Sequence, residues 1–200
     1  TYLPLLETYE ALWRDGIDFR VSMTLSPPLV SMLRDPLLQE RCAERLRRLI
    51  ELAETEFERH AGDGHLQYLA GWYRDLLERR LHQFEVLYER DLALAFKTFQ
   101  DRGRLEILTC CATHGFLPLL SAYEPAVRAQ VRVAIDYHTS VFGQAPRGIW
   151  LAECAYYPGL DRILREEGIE YFIGETHAVR HATPRPRYDV HAPIVTPAGV

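Results

Sequence analysis

Between residues 19 and 25, apolar and polar side chains alternate, with Phe, Val, Met and Leu set against Arg, Ser and Thr, until Pro27-Pro28 interrupts them. A period of two stopped by prolines predicts a strand that runs into a loop. Asp35 then precedes Pro36, an N-cap followed by proline at the first helical position. From there Cys42, Leu46, Leu49, Ile50, Ala53 and Phe57 recur at helical spacing, with Arg and Glu on the opposite face. Gly62 and Gly64 bracket a turn, and residues 66–97 carry a second periodic pattern through Leu69, Trp72, Tyr73, Leu76, Leu77, Phe84, Leu87, Tyr88 and Leu92. That stretch exceeds an average helix, so two helices or one broken helix are predicted.

Asp101 to Gly103 ends the helical region, and residues 105–111 form a short apolar and thiol-bearing run suited to a strand buried on both faces. Thr113, His114 and Gly115 follow at its C-terminal end. A helix is predicted from residues 121–125 onward, with Val127, Val131, Ala134, Ile135, His138 and Phe142 on its apolar face and Gly143 closing it. Residues 148–157 then read as a strand entering Glu153, Cys154, Ala155, Tyr156 and Tyr157. Next come a short helix over residues 160–167 and an apolar strand over residues 169–173 that ends in Gly174, Glu175, Thr176 and His177. The proline-rich remainder, residues 181–200, reads as loop with one more short strand around Ile194. Repeated alternation of strand and helix implies a parallel sheet with helices outside it, open or closed into a barrel.

Composition narrows the picture. Two hundred residues that are 48% hydrophobic can bury one sizeable core, which predicts one globular domain. The formal charge of -5 comes with Lys and Arg interleaved among Glu and Asp, a pattern that argues against nucleic acid as the main partner. No apolar run reaches the roughly 20 residues of a membrane-spanning helix, and no leader-like segment opens the chain. Cys42, Cys110, Cys111 and Cys154 form no C-x-x-C pair. Three of the four lie in apolar segments, which reads as buried, reduced thiols in a cytoplasmic protein. Both termini, at Thr1 and Val200, look like cuts through a longer chain.

In parallel α/β proteins ligands gather at the carboxyl ends of the strands, where loops turn side chains into one cleft. Three successive strands end there in His114, in Glu153 and in the Glu175/His177 pair. Glu153 stands alone among apolar and aromatic neighbours, where desolvation would raise its pKa. It serves either chemistry or a simple pairing with arginine. His114 is equally a ligand-facing histidine or one satisfied by the strand end. His138, on an apolar helix face, reads as a core histidine, and His60, His65, His82 and His181 as surface residues. Trp150 reads as core, while Tyr156 is placed toward the cleft, where aromatic faces stack on sugars. Cys154 lacks the partner pattern of a thiol nucleophile, and no H-x-x-x-H or C-x-x-C spacing fixes a metal site, so no metal or organic cofactor is expected.

Residues 106–120, Glu-Ile-Leu-Thr-Cys-Cys-Ala-Thr-His-Gly-Phe-Leu-Pro-Leu-Leu, followed by residues 148–161, Gly-Ile-Trp-Leu-Ala-Glu-Cys-Ala-Tyr-Tyr-Pro-Gly-Leu-Asp, resemble the second and third sequence regions of glycoside hydrolase family 57, in particular its 1,4-α-glucan branching enzyme-like subgroup. Residues 23–29, 174–177 and 188–200 fit the same subgroup. The resemblance implies a parallel-stranded (β/α)7-type barrel, incomplete here and with helices inserted between strands, so that residues 1–200 would be the central part of a single catalytic barrel. It implies retaining chemistry on an α-glucan such as glycogen, amylose or starch, with Glu153 as nucleophile, His114 lining the subsite of the attacked sugar and His177 at the cleft wall; Trp150 and Tyr156 join them as candidate substrate-binding residues through their aromatic rings. The family's His-x-His-x-Pro motif and its general-acid Asp have no counterpart in the chain, and neither Asp161 nor Asp189 takes that role. Disproportionation by a 4-α-glucanotransferase and amylase-type hydrolysis are alternatives on the same barrel. A metal-dependent deacetylase using His114 and His177, or a non-catalytic glycan-binding protein, are alternatives of other classes.

Overall fold

The computed structural model describes all residues 1–200. In chain order its elements are α1 (Tyr2–Arg14), β1 (Val21–Thr24), α2 (Pro27–Arg34), α3 (Pro36–Arg59), α4 (Gly64–His82), a π-helical turn (Gln83–Leu87), α5 (Leu92–Asp101), β2 (Leu105–Cys110), α6 (Leu117–Leu120), α7 (Glu124–Phe142), β3 (Gly148–Trp150), a single 3-10 turn (Ala152–Cys154), α8 (Leu160–Glu166), β4 (Tyr171–Ile173), α9 (Thr176–Arg180) and a last 3-10 turn (Asp189–His191). The chain divides into two compact units, one of residues 1–19 and 31–99, the other of residues 20–30 and 100–200.

The first unit is helical. Asp35 accepts a hydrogen bond from Leu38 N at 3.0 Å and starts α3, and Asp63 accepts from His65 N and Leu66 N to start α4. These caps satisfy donors that helix ends leave open. α3 and α4 pack against each other, and Gly71 matters at their contact because a Cβ there would stand 3.3 Å from the Phe57 ring. The predicted break in the long periodic stretch falls at the π-helical turn and residues 88–91.

The second unit carries the sheet. Four strands lie in the order β1-β2-β3-β4, all parallel, with Met23 opposite Ile107, Thr109 opposite Ile149 and Ile149 opposite Phe172. Parallel neighbours require crossovers, and α6 with α7 and then α8 supply them between β2, β3 and β4. Val127, Val131 and Ile135 of α7 pack with Ile149, Leu151, Leu160, Ile163 and Leu164 into one buried cluster. Burying such a side chain contributes ~1.5–3 kcal/mol. Gly143 ends α7 with φ 78°, a left-handed conformation that glycine adopts without strain.

Several details depart from the sequence reading. α1 was not anticipated, although Leu6 and Tyr9 give it a buried side. Pro27-Pro28 opens α2 instead of a loop, since proline in a first helical turn costs no hydrogen bond. No strand forms around Ile194; the 3-10 turn and hydrogen bonds such as Thr196 N to Val200 O, 3.0 Å, organise that segment. Cys110 and Cys111 are buried, but Cys154 is only partly so and Cys42 is exposed, the buried position on that turn of α3 being Ala43. No helix is long and apolar enough to cross a membrane.

Candidate functional site at the carboxyl ends of the strands

β2 ends at Cys110, and the chain then turns sharply. His114 N donates to Cys111 O at 2.9 Å, and His114 itself sits at φ 57°. Gln130 of α7 clamps this turn from the side: its Oε1 accepts from Thr113 N at 3.0 Å and its Nε2 donates to Thr113 Oγ1 at 2.9 Å. The neighbouring strand ends in a similar way. After Leu151, wholly buried, the single turn Ala152–Cys154 places Glu153 at φ 55° and Cys154 at φ 54°. Cys154 N to Leu151 O, 2.8 Å, and Ala155 N to Ala152 O, 3.1 Å, hold it. Left-handed backbone at a non-glycine residue costs of order 1–3 kcal/mol, and such strain concentrates at functional sites. The anchors on either side turn the Glu153 carboxylate away from the core.

The two turns meet. His114 Nε2 lies 3.7 Å from Glu153 Oε1, while His114 Nδ1 lies 3.3 Å from Cys110 Sγ. The Glu153 side chain is 75% exposed instead of enclosed by its apolar sequence neighbours, and its ion-pair partner is His114, not an arginine. The thiols respond to this setting. The adjoining Cys111 thiol draws Cys110 well below the usual thiol range against the opposing effect of burial, with His114 adding to the pull, and Cys111 is pushed up in return. Cys154 is pushed up by burial and then by the carboxylates of Glu175 and Glu153, which brings Glu175 into the same neighbourhood.

The remaining candidates lie around this centre with different degrees of freedom. Trp150, opposite Cys110 on β2 and Ile173 on β4, is half-buried and packs on the apolar cluster. Tyr156 stacks on Phe172 with ring centroids 5.3 Å apart and nearly parallel planes, and it too packs against that cluster. His177 lies in the first turn of α9, is 81% exposed, stands 3.6 Å from Glu175 Oε2 and lies parallel to His181. Glu175 accepts from Thr176 N at 2.8 Å. Asp161 is buried and accepts from Ala198 N at 3.1 Å; against burial, that bond and the Thr196 hydroxyl hold its carboxyl below the usual range. Asp189 is held low by Arg185, 2.9 Å away, and by Arg180. No group of three His, Cys, Asp or Glu side chains is arranged to hold a metal ion.

Sequence reading missed the Cys110 contact and the Gln130 clamp. The i to i+4 spacing of Cys110 and His114 is a signal only once the sharp turn between them is known.

Four parallel strands in sequential order, with a carboxylate and a histidine brought together at their carboxyl ends, define an α/β protein of the barrel-forming kind. The chain belongs to glycosyl hydrolase family 57, whose model matches residues 1–198. A 1,4-alpha-glucan branching enzyme of Thermococcus kodakarensis is 29% identical over 195 residues, a match covering 90% of this chain and 28% of that protein. Among solved structures, the alpha-amylase AmyC from Thermotoga maritima superimposes with a TM-score of 0.93 at 42% identity, over all of this chain and 38% of that one. The GH57-type branching enzyme from Pyrococcus horikoshii gives 0.91 at 28% identity, again over all of this chain and 40% of that one. The four strands are thus a section of the (β/α)7-type barrel of this family. The chain spans between about a quarter and two fifths of the length of these relatives.

Proposed function

We propose that the protein is a retaining α-glucan-acting enzyme in which Glu153 attacks the anomeric carbon. The observation that carries this reading is the pairing of Glu153 with His114 at 3.7 Å, on two strained turns at the carboxyl ends of adjacent parallel strands. An exposed carboxylate held by its backbone, and not by an arginine, is free to approach a sugar. In the first step a Glu153 oxygen bonds to C1 as the glucosidic C–O bond breaks, and the departing oxygen takes a proton from a second carboxyl group. Retaining enzymes place that group about 5–5.5 Å from the nucleophile. Asp161 and Asp189 do not fill the role, since each is tied into structural bonds. His114 would line the site of the attacked sugar, Tyr156 would offer an aromatic face, and Trp150 and His177 would form its walls.

The acceptor decides the outcome. Water gives hydrolysis, whereas the 6-hydroxyl of a second glucan chain gives an α-1,6 branch. We favour branching, on the likeness to the Thermococcus and Pyrococcus branching enzymes, with glycogen-type polymer as substrate, residues 1–200 as the central part of one catalytic barrel and no cofactor. Four free thiols fit a reducing, cytoplasmic setting. The 42% identity to the Thermotoga alpha-amylase supports hydrolysis as the second reading. Incubating the full-length protein with amylose and counting linkages by NMR separates them: new α-1,6 linkages are expected, and shortened linear chains alone would refute branching.

A further inference from the structure

The His114 ring has two nitrogen edges, and only one of them faces Glu153. The other is held at 3.3 Å by the sulfur of Cys110, the last residue of β2. We propose that Cys110 is a positioning residue whose sulfur holds the Nδ1 edge of His114, so that the Nε2 edge stays turned to the Glu153 carboxylate; this rests on Glu153 being the nucleophile.

The His114 side chain is 48% exposed, so its own packing leaves the ring room to turn. Cys110 has no such room. It is wholly buried, and the strand residue that carries it is paired with Trp150 of β3. The backbone between the two residues doubles back through the hydrogen bond from His114 N to Cys111 O, which brings an imidazole four residues further on over the end of its own strand. A rigid sulfur on one edge and a carboxylate on the other fix both the tilt and the flip of the ring, because a flipped imidazole would offer carbon atoms to both.

A valine at position 110 would fill nearly the same space without a hydrogen-bonding atom, and a serine would keep such an atom. The test uses the full-length protein on amylose, with C110V, C110A and C110S compared for kcat, KM and melting temperature. Ring-nitrogen NMR of 15N-histidine-labelled samples reports the His114 environment in each. C110V and C110A are expected to lower kcat roughly ten- to hundredfold, the scale of loss when a reacting group is misplaced by about 1 Å, with KM little changed. Their His114 Nδ1 resonance is expected to shift, while C110S recovers most of kcat and the wild-type ring signal. Wild-type kcat and an unshifted ring in C110V would overturn the proposal. So would a C110S that loses as much as C110A, since the sulfur would then only fill space. E153Q is the separate control: if it keeps wild-type turnover, the reading of Glu153 falls, whereas the anchoring of His114 is still decided by the NMR of the Cys110 variants.

Discussion

At the amino end of the sheet, Ser22 faces Glu106 across β1 and β2, and Gly148 faces Tyr171 across β3 and β4. The Tyr171 ring crosses the space left by Gly148, where a Cβ would meet it at 2.4 Å, and its hydroxyl lies close to Glu106 and Ser22. Burial and then Glu106 push that hydroxyl up to about 12. Arg147 joins the group 3.6 Å from Glu106 Oε1, an oxygen that otherwise lacks a hydrogen bond. At the carboxyl end the pattern reverses. His114, Glu153 and Cys154 all hold positive φ, and Glu153 keeps most of its side chain in solvent. The same four strands therefore have one end crossed by packed side chains and one end where left-handed backbone holds His114 and Glu153 out from the core. The 370 Å³ cavity bordered by Ser22, Gln100, Glu106, His138, Gln144 and Arg147 lies at the amino end, away from Glu153.

If this division is right, variants at the two ends should separate activity from stability. The largest effect is expected from E153Q, which should lower turnover on amylose by about 10³-fold or more, equivalent to about 4 kcal/mol of barrier. Its melting temperature should stay within about 2 °C of the parent, because the side chain contributes nothing to the core; calorimetry beside the assay checks both. A large loss of stability would erase the contrast.

The next effect belongs to His138, buried with both ring nitrogens unpartnered and its ring 4.6 Å from that of Phe142. Burial draws its pKa down to about 4. An unfolded chain binds that proton near pH 6.5, so stability is full above about 6.5 and is lost as pH falls toward 4, by about 3 kcal/mol in all. Urea melts between pH 7 and 4 should show this slope, and H138L should flatten it.

G148A is expected to cost about 1–3 kcal/mol, since the new methyl group must displace the Tyr171 ring. Combining it with Y171A should recover part of that loss, and activity per folded molecule should not change. Q130A sharpens the comparison at the other end. It removes both bonds to Thr113, should cost about 1 kcal/mol of stability, and should raise KM more than it lowers melting temperature, as the turn carrying His114 loosens.

Much of the architecture was readable from residue order. The apolar stripe of α7, the Asp35-Pro36 start of α3 and the Gly143 stop are local signals that depend on near neighbours, and each appears where the pattern puts it. His138 on the apolar face read as a core residue and is one. The helix at Pro27 was misread because the same dipeptide ends a strand and starts a helix, and only the hydrogen bond from Val30 N to Ser26 O distinguishes the two. Glu153 stood out as a lone charge in an apolar stretch, yet its apolar neighbours in sequence do not surround it in space. The turn at Ala152–Cys154 sends Leu151 and Ala152 inward and the carboxylate outward.

Residue order by itself determined the four strands of the sheet, the helices α3, α7 and α8, that the sheet would be parallel, and that His114 and Glu153 would follow successive strands, because hydrophobic period and capping act over a few residues. Only the tertiary structure decided that these two side chains meet, that a buried sulfur holds the far edge of the histidine, and that Gly148 makes room for Tyr171. Those contacts join residues tens of positions apart or across a reversed turn. Their distances follow from strand register and left-handed backbone angles, which no local pattern encodes.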